Sequence, residues 1–571
     1  MVRTADRDQA ENDRHARIAE PIRSKLEPGH DRADPSGAHG LIPSDIENPL
    51  KQARARFRAR DFAGCLALCD GLTAPQRDDP ARLYLSGCTR CALGDWALGA
   101  DELLAALSAR PDDRMLRLDC ATALRRAARP EAAIDLLQAG LVHQRAAPDF
   151  SLRLATLLSD RNRHAEAQSC LRAALAAWPD RADLHQQLAI EYAADLQAAA
   201  ALHHLERAET LTPGQATTAL NLGVVQQGEG AIDRAIGHYR RAVALAPRAP
   251  QPHLNLAMAL LARQDWAEGF AELEHRLARR GTARTTLPRW NGEPLDGRRL
   301  LVTDEQGHGD MIQYARFLPE AARRGGPVIV ECQPGLERLF AMIPGVSACT
   351  TFGTRRLPAD LTVPMMSLPH ALGCSRERLT APVPYLRAPA ASQTPLPDTP
   401  GRRIGIVWAA KPGDGSLYTR RALDRRSCPL ELFRPLTALP GVRLHSLQKG
   451  PAAAELAPSD LPIHDLGAGL RDFAATAAAI AALDLVISVD TSVAHLAGGL
   501  GAPLWVLLAA GQADYRWGPT GETTPWYPTA RLFRADVQGG WAGLIDRVAA
   551  ALVSGGLQRG DQEGQQRQGL L

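Results

Sequence analysis

Small and apolar positions recur with a period of 34 residues through the first half of the chain, in seven units that begin at Ile46, Pro80, Arg114, Pro148, Ala182, Ala216 and Pro250. The eighth position of each unit is Ala53, Gly87, Ala121, Ala155, Ala189, Gly223 or Ala257, and the twentieth is Cys65, Gly99, Ala133, Ala167, Ala201, Ala235 or Gly269. A small residue at a fixed place in each of two helices lets them pack closely, so every unit predicts a helix-turn-helix pair. From about Arg298 the period changes. Apolar runs at 299–303, 327–331 and 360–364 read as strands with a helical pattern at 311–323, and runs at 403–408, 442–446, 485–489 and 504–508 read as a second set. Helical patterns at 429–439, 471–482, 491–500 and 541–552 separate the later strands. Strands alternating with helices on both sides of a proline-rich link predict two parallel-sheet units facing each other across a cleft.

Leu222, Gly223, Gly230, Ala235, Tyr239, Ala242 and Pro247 form the cleanest copy of the 34-residue unit, and Pro179, Pro213 and Pro247 end three successive copies. The array resembles the tetratricopeptide repeat. That resemblance implies an α-solenoid over residues 46–283 with a concave face that takes a protein or peptide. The alternative is a spacer that positions the second half or mediates self-association.

The chemistry begins at Leu485-Val-Ile-Ser-Val-Asp-Thr-Ser-Val-Ala-His495, a buried strand running into a helix whose first turn carries Asp490, Thr491, Ser492 and His495. Thr491 or Ser492 can cap that helix, and free amides at the positive end of its dipole suit a phosphate or diphosphate. His495 lies four residues after Thr491, which predicts both side chains on one face, toward one ligand. The competing reading is an ordinary capped helix with a surface histidine. Thr303-Asp-Glu-Gln-Gly-His-Gly-Asp310 is a glycine-bearing loop between strand and helix, with Asp310 either as helix cap or as a carboxylate displayed at the cleft. On the second unit Lys411, Asp424-Arg-Arg-Ser427 and Ser446-Leu-Gln-Lys449 fall on loops at the sheet edge that carries Asp490.

Composition narrows the field. Across 571 residues, 66 Lys and Arg balance 63 Asp and Glu for a net charge of +3, which gives no global pull toward nucleic acid or an acidic membrane. The only lysines are Lys25, Lys51, Lys411 and Lys449. No run approaches the roughly 20 apolar residues of a membrane span, and the first 50 residues hold no signal-peptide core. These features predict a cytoplasmic protein with reduced thiols and tails at 1–45 and 555–571 that are disordered. Cys65, Cys69, Cys88 and Cys91 include a C-x-x-C pair and raise a metal alternative, against which stands their fall at helix positions where small packing residues are expected.

Taken together, Pro288-Arg-Trp-Asn-Gly-Glu-Pro-Leu, Glu305-Gln-Gly-His-Gly-Asp-Met-Ile-Gln313, Asp424-Arg-Arg-Ser427, Ser446-Leu-Gln448, Asp465-Leu-Gly, Asp472-Phe473, Ser488 to Leu500 and Pro525-Trp-Tyr527 resemble the family 9 glycosyltransferases of the heptosyltransferase type, in their version fused to tetratricopeptide repeats. The resemblance spans residues 46–552. It implies a GT-B architecture: a Rossmann-like acceptor unit at 284–388, a linker at 389–402, and a Rossmann-like nucleotide-sugar unit at 403–554. It implies an inverting transfer with no cofactor or metal beyond the nucleotide-sugar donor. Asp310 matches the family's general base, and Asp490, Thr491 and His495 match its donor-diphosphate motif. Ser492, Lys411, Gln448 and Lys449 are further donor-side candidates; Gln306, His308, Gln313 and Arg426 are candidates for the acceptor side or cleft.

The chain departs from the family at His308, where an aliphatic residue is usual, at Ser492 in place of glycine, at Lys411 in place of asparagine, and in an expanded segment 413–423. The leading expectation is a glycosyltransferase acting on a protein or other large acceptor recruited by the repeats. Two others stand beside it: a binding scaffold that keeps the fold without turnover, and an epimerase or hydrolase acting on the nucleotide sugar itself.

Overall fold

A computed structural model describes residues 44–72, 78–143, 147–195, 197–279, 285–305, 307–351, 354, 357–375, 383–389, 400–410, 426–510, 514–536 and 539–554. The expected C-terminal tail, all of the expected N-terminal tail except Ser44 and Asp45, which begin a helix, most of the linker, Gln306, Lys411 and the segment 413–423 lie outside the described residues. The chain divides into two compact units at Pro213.

The first unit is a series of helical hairpins: α1 (Ser44–Arg58) with α2 (Phe62–Asp70), α3 (Pro80–Leu93) with α4 (Trp96–Ala109), α5 (Arg114–Arg126) with α6 (Pro130–His143), α7 (Pro148–Asp160) with α8 (His164–Ala177), and α9 (Ala182–Ala194) with α10 (Ala198–Leu211). Asp61, Asp79, Asp95 and Asp113 cap the early helices by accepting backbone amides at 2.8–3.3 Å. The recurrent small residues are the points of closest helix approach. A Cβ on Gly87 would stand 2.8 Å from the Leu103 side chain, and one on Gly99 would stand 2.9 Å from the Gly87 carbonyl oxygen. The four cysteines weighed as metal ligands are buried, with Cys65 Sγ 3.3 Å from Thr89 Oγ1. They fill packing positions, and among the described residues they do not gather as a ligand set.

The second unit opens with two more hairpins, α11 (Ala216–Gly228) with α12 (Ile232–Leu245) and α13 (Pro250–Ala262) with α14 (Trp266–Leu273). The division at Pro213 therefore falls inside the repeat array. Packing explains it: Trp266, Phe270 and Leu273 of α14 belong to the same buried cluster as Trp290, Tyr314 and Trp526 of the sheet region. A buried arginine reinforces the join. Arg276 grips Glu305 at 2.6 and 3.1 Å and also donates to Ser367 Oγ at 2.7 Å and Glu274 at 2.7 Å.

Two all-parallel sheets follow. β1 (Leu300–Thr303), β2 (Val328–Cys332), β3 (Val346–Thr351) and β4 (Leu361–Pro364) run in the order β3-β2-β1-β4. β5 (Arg402–Val407), β6 (Val442–Ser446), β7 (Ile463–Asp465), β8 (Leu485–Val489), β9 (Leu504–Leu508) and β10 (Ala530–Arg534) run in the order β10-β9-β8-β5-β6-β7, the 3-2-1-4-5-6 sequence of a doubly wound sheet. β3, β7 and β10 escape the apolar-run criterion because they sit at sheet edges, where β3 and β7 are only partly buried. The expected helix at 311–323 is broken: α15 (His308–Tyr314) gives way to a tight turn at 315–317 and then α16 (Leu318–Ala322), since Pro319 removes a helical donor. Pro435 divides the 429–439 segment in the same way.

Order reverses between β1 and β4 in the first sheet and between β5 and β8 in the second. In open parallel sheets ligands bind beyond the carboxyl ends of the strands at such a switch point. The loop after β1 leads to Asp310, and the loop after β8 is Asp490-Thr491.

Candidate active site

α15 and the helix after β8, here α21 (Ser492–Gly499) once α17 (Glu337–Phe340), α18 (Leu368–Ala371), α19 (Arg434–Thr437) and α20 (Phe473–Ala481) are numbered, pack directly against each other. Gly309 makes this possible: a Cβ there would lie 2.8 Å from His495 Cδ2 and 3.6 Å from Ser492 Cα. The two expected halves of the site, far apart in sequence, thus meet at one helix crossing.

Asp310 is not the cap of α15. Gly307 holds that position, and Asp310, three residues on, accepts the Gly307 amide at 3.0 Å through Oδ2. Its Oδ1 is bound by Arg516 Nη2. Burial pushes the carboxyl above its ordinary value, opposed by Arg516 and the Gly307 amide and assisted by the charges of Asp514 and Asp490. Arg516 is itself enclosed, donating also to Gln313 Oε1 and to Asp514 at 3.1 Å, with its guanidinium 4.4 Å from the centre of the Tyr515 ring.

Asp490 is buried and accepts Arg426 Nη1 at 2.8 Å. Thr491 holds the cap position of α21 by backbone conformation, yet its hydroxyl bonds Ser488 Oγ at 3.0 Å and makes no capping bond. The amides of Ser492 and Val493, in the first turn, have no intrahelical acceptor by their position. His495 is buried and does not share an open face with Thr491. Its Nδ1 lies 2.8 Å from the Tyr527 hydroxyl, its ring stacks on Trp517 with centroids 5.2 Å apart, and its Nε2 is 3.9 Å from Asp490 Oδ1. Burial, followed by the nearby Arg516 charge, lowers its pKa to about 3, so the ring is neutral at physiological pH.

The remaining candidates divide. His308 opens α15 and stacks on Phe473 of α20 at 5.1 Å, and Gln313 is fully buried beneath Arg516. Lys449 is exposed at the end of β6 and donates to the Gly467 carbonyl at 2.8 Å. Gln448 departs from its expected role in donor binding: its Oε1 accepts the Trp408 and Ala409 amides at 3.1 and 3.0 Å, and its Nε2 donates to the Ala409 and Lys449 carbonyls at 3.0 and 2.9 Å. That amide is saturated and clamps the ends of β5 and β6 together.

No family model matches the chain. It is 28% identical over 559 residues to Protein FlbA of Caulobacter vibrioides, a similarity covering 89% of this chain and 90% of that protein. Among solved structures it is similar to the C-terminal part of a TPR repeat-containing protein from Cytophaga hutchinsonii, 14% identical with a TM-score of 0.33 over 41% of this chain and 96% of that one. It is also similar to MamA from Desulfovibrio magneticus, 19% identical with a TM-score of 0.27 over 29% of this chain and 97% of that one.

Sequence reading overlooked Asp514, Tyr515, Arg516 and Trp517. The run Asp514-Tyr-Arg-Trp517 mixes charge and aromatic rings in the long connection between β9 and β10, a signal of a built site, but no spacing ties it to Asp310. Tyr527 lay within a quoted motif without a role, and it proves to fix the His495 ring.

Proposed function

We propose that this chain is a glycosyltransferase of GT-B type that moves a sugar from a nucleotide-sugar donor to a hydroxyl of a protein or other large acceptor recruited by the helical repeats. The observation that carries the reading is the packing of Gly309 on His495, which sets Asp310 beside the β8–α21 junction, each at the switch point of its own parallel sheet. An acidic group and an anion-suited helix start at one crossing are what an inverting displacement needs.

Asp310 takes the proton as the acceptor oxygen bonds the anomeric carbon. The bond from that carbon to the diphosphate oxygen breaks, and the electron pair leaves with the nucleoside diphosphate. The first-turn amides of α21 and the Arg426 guanidinium balance the departing charge, with neutral His495 offering a hydrogen bond rather than a full charge. A carboxyl raised by burial is a stronger base than a solvated one. Positive charge already present in the chain makes the proposed transfer independent of a metal ion.

One observation favours a second reading, a scaffold that keeps the fold without turnover: Asp310 and Asp490 are each already paired with an arginine. A panel of labelled nucleotide sugars incubated with cell extract separates the two, using wild type, Asp310→Ala and His495→Ala. Label in a macromolecule with wild type alone supports transfer. Donor consumed without transfer points to a hydrolase or epimerase, and no donor bound by the wild type leaves the scaffold.

A further inference from the structure

The last repeat holds a cluster that the proposed transfer does not use. His253 lies on α13, Glu272 in the last turn of α14, and His275 in the 3-10 turn Glu274–Arg279 that follows. One ligand atom from each falls within 4.8 Å of the other two. The spacing Glu-x-x-His places both α14-side groups on one face of that segment, opposite His253.

Hydrogen-bond accounting at His253 calls for either a proton or a metal ion between its Nδ1 and Glu272. Its Nε2 lies 3.0 Å from the Pro247 carbonyl, which only accepts, so Nε2 carries a proton. In the neutral ring Nδ1 then presents a lone pair, and it faces Glu272 Oε2 at 2.5 Å, a second acceptor. The fifth repeat supplies an internal comparison. His185 occupies the same fourth position of its unit, bonds the equivalent Pro179 carbonyl at 2.9 Å, and meets His204, at the twenty-third position where the last repeat has Glu272, with the two Nδ1 atoms 2.8 Å apart. There the partner imidazole can donate and the pair closes as neutral groups. A carboxylate cannot. The last repeat adds a third ligating group within reach, His275, stacked 3.5 Å from the His253 ring, whereas the third histidine of the fifth repeat, His203, meets His204 edge-on at 5.4 Å.

We infer that His253 Nδ1, Glu272 and His275 form a site for a divalent transition ion of the Zn2+ class. Two imidazoles and a carboxylate are a standard three-ligand set that leaves a fourth position open. The Pro247 carbonyl on Nε2 is the outer partner that fixes the tautomer of a ligating histidine. An imidazole binds an ion in its own plane, and two rings at 8° to each other share no such point at 3.5 Å, so closure turns the exposed His275 ring out of the stack. His253 Nδ1 and Glu272 Oε2, 2.5 Å apart, must also separate to about 3.3 Å so that each bonds one ion at about 2.0 Å. The ion would pin the α13–α14 hairpin one residue before Arg276, whose guanidinium holds Glu305 on the loop leading to Asp310.

The test uses the full-length protein stripped of metal, titrated with Zn2+ by calorimetry and with Co2+ by visible absorption. The expected result is one tight equivalent whose Co2+ spectrum lacks a thiolate charge-transfer band, with His275→Ala and Glu272→Gln each weakening Zn2+ at least about 10-fold. His275 is exposed, so its variant keeps the fold. Zn2+ affinity unchanged in both variants, a thiolate band from the cysteines, or no binding because a proton alone bridges His253 and Glu272, would each overturn the inference.

Discussion

Arg516 Nη2 donates to Asp310 Oδ1 across 206 residues of sequence, so the carboxylate on the first sheet's loop is held by a cation from a loop of the second. Both groups are packed among Gln313, Asp514 and Tyr515. The proposed base is therefore tuned by opposing effects, with burial raising its pKa and Arg516 lowering it.

Replacing Arg516 with glutamine removes the opposing charge while burial, Asp514 and Asp490 remain, so the Asp310 pKa rises further. At a given pH more of the carboxyl is then protonated and unable to accept the acceptor's proton. The acidic limb of kcat/KM against pH should move to higher pH, whereas a limb that stays in place would reduce Arg516 to a packing role. The stability effect has a definite sign: with its folded pKa raised, Asp310 contributes stability at low pH that is lost as pH rises through that pKa.

Gly309→Ala tests the helix crossing. The added methyl meets the His495 ring at 2.8 Å, and that ring is pinned by Tyr527 and Trp517, so it cannot yield. Overpacking of this kind costs about 1 to 3 kcal/mol. Gly307→Ala is the control: its Cβ would approach only Asp310 Oδ2, at 3.6 Å. Denaturant midpoints of the two variants should separate, with only the first falling markedly.

Much of this arrangement is legible in the sequence. Strict spacing exposed the helix pairs, because a small residue at a helix crossing is a local requirement repeated at a fixed interval, as Gly87 and Gly223 illustrate. The β8–α21 junction was equally plain, since a buried strand must be apolar throughout. Edge strands β3, β7 and β10 carried weaker patterns. The partners of the site residues were hidden for a different reason: which arginine reaches Asp310, or which hydroxyl holds His495, is decided by sheet order and not by spacing. Gln448 shows the same limit, for its polar side chain serves the backbone of β5 instead of a ligand.

His495 should impose a pH dependence on stability. Its folded pKa is depressed from 6.5 to about 3, so its contribution is present above the unfolded value and is lost as pH falls from about 6.5 toward 3. His495→Gln removes the titrating group while keeping a hydrogen-bonding side chain. Unfolding free energies measured across that window should fall with acid more steeply for wild type than for the variant. Parallel curves would show that the ring is already solvated in the folded protein.

The Arg276–Glu305 pair ties the last repeat to the loop that carries Asp310, and its burial dictates how it responds to substitution. Arg276→Met takes the guanidinium from both Glu305 oxygens, and the neutral Met366 amide, at 3.2 Å, does not replace that charge, although Glu274 keeps Arg289. Removing one partner of a buried pair costs about 3 to 5 kcal/mol, because the charge left behind is neither hydrated nor balanced. Replacing both with apolar residues, as in Arg276→Met with Glu305→Leu, removes the desolvated charges together. The double variant should then be more stable than either single one, and a denaturation cycle measures the difference directly. If the two single losses simply add in the double variant, water already reaches the pair and the last repeat is joined to the sheet by apolar packing, Trp266, Phe270 and Leu273 among it.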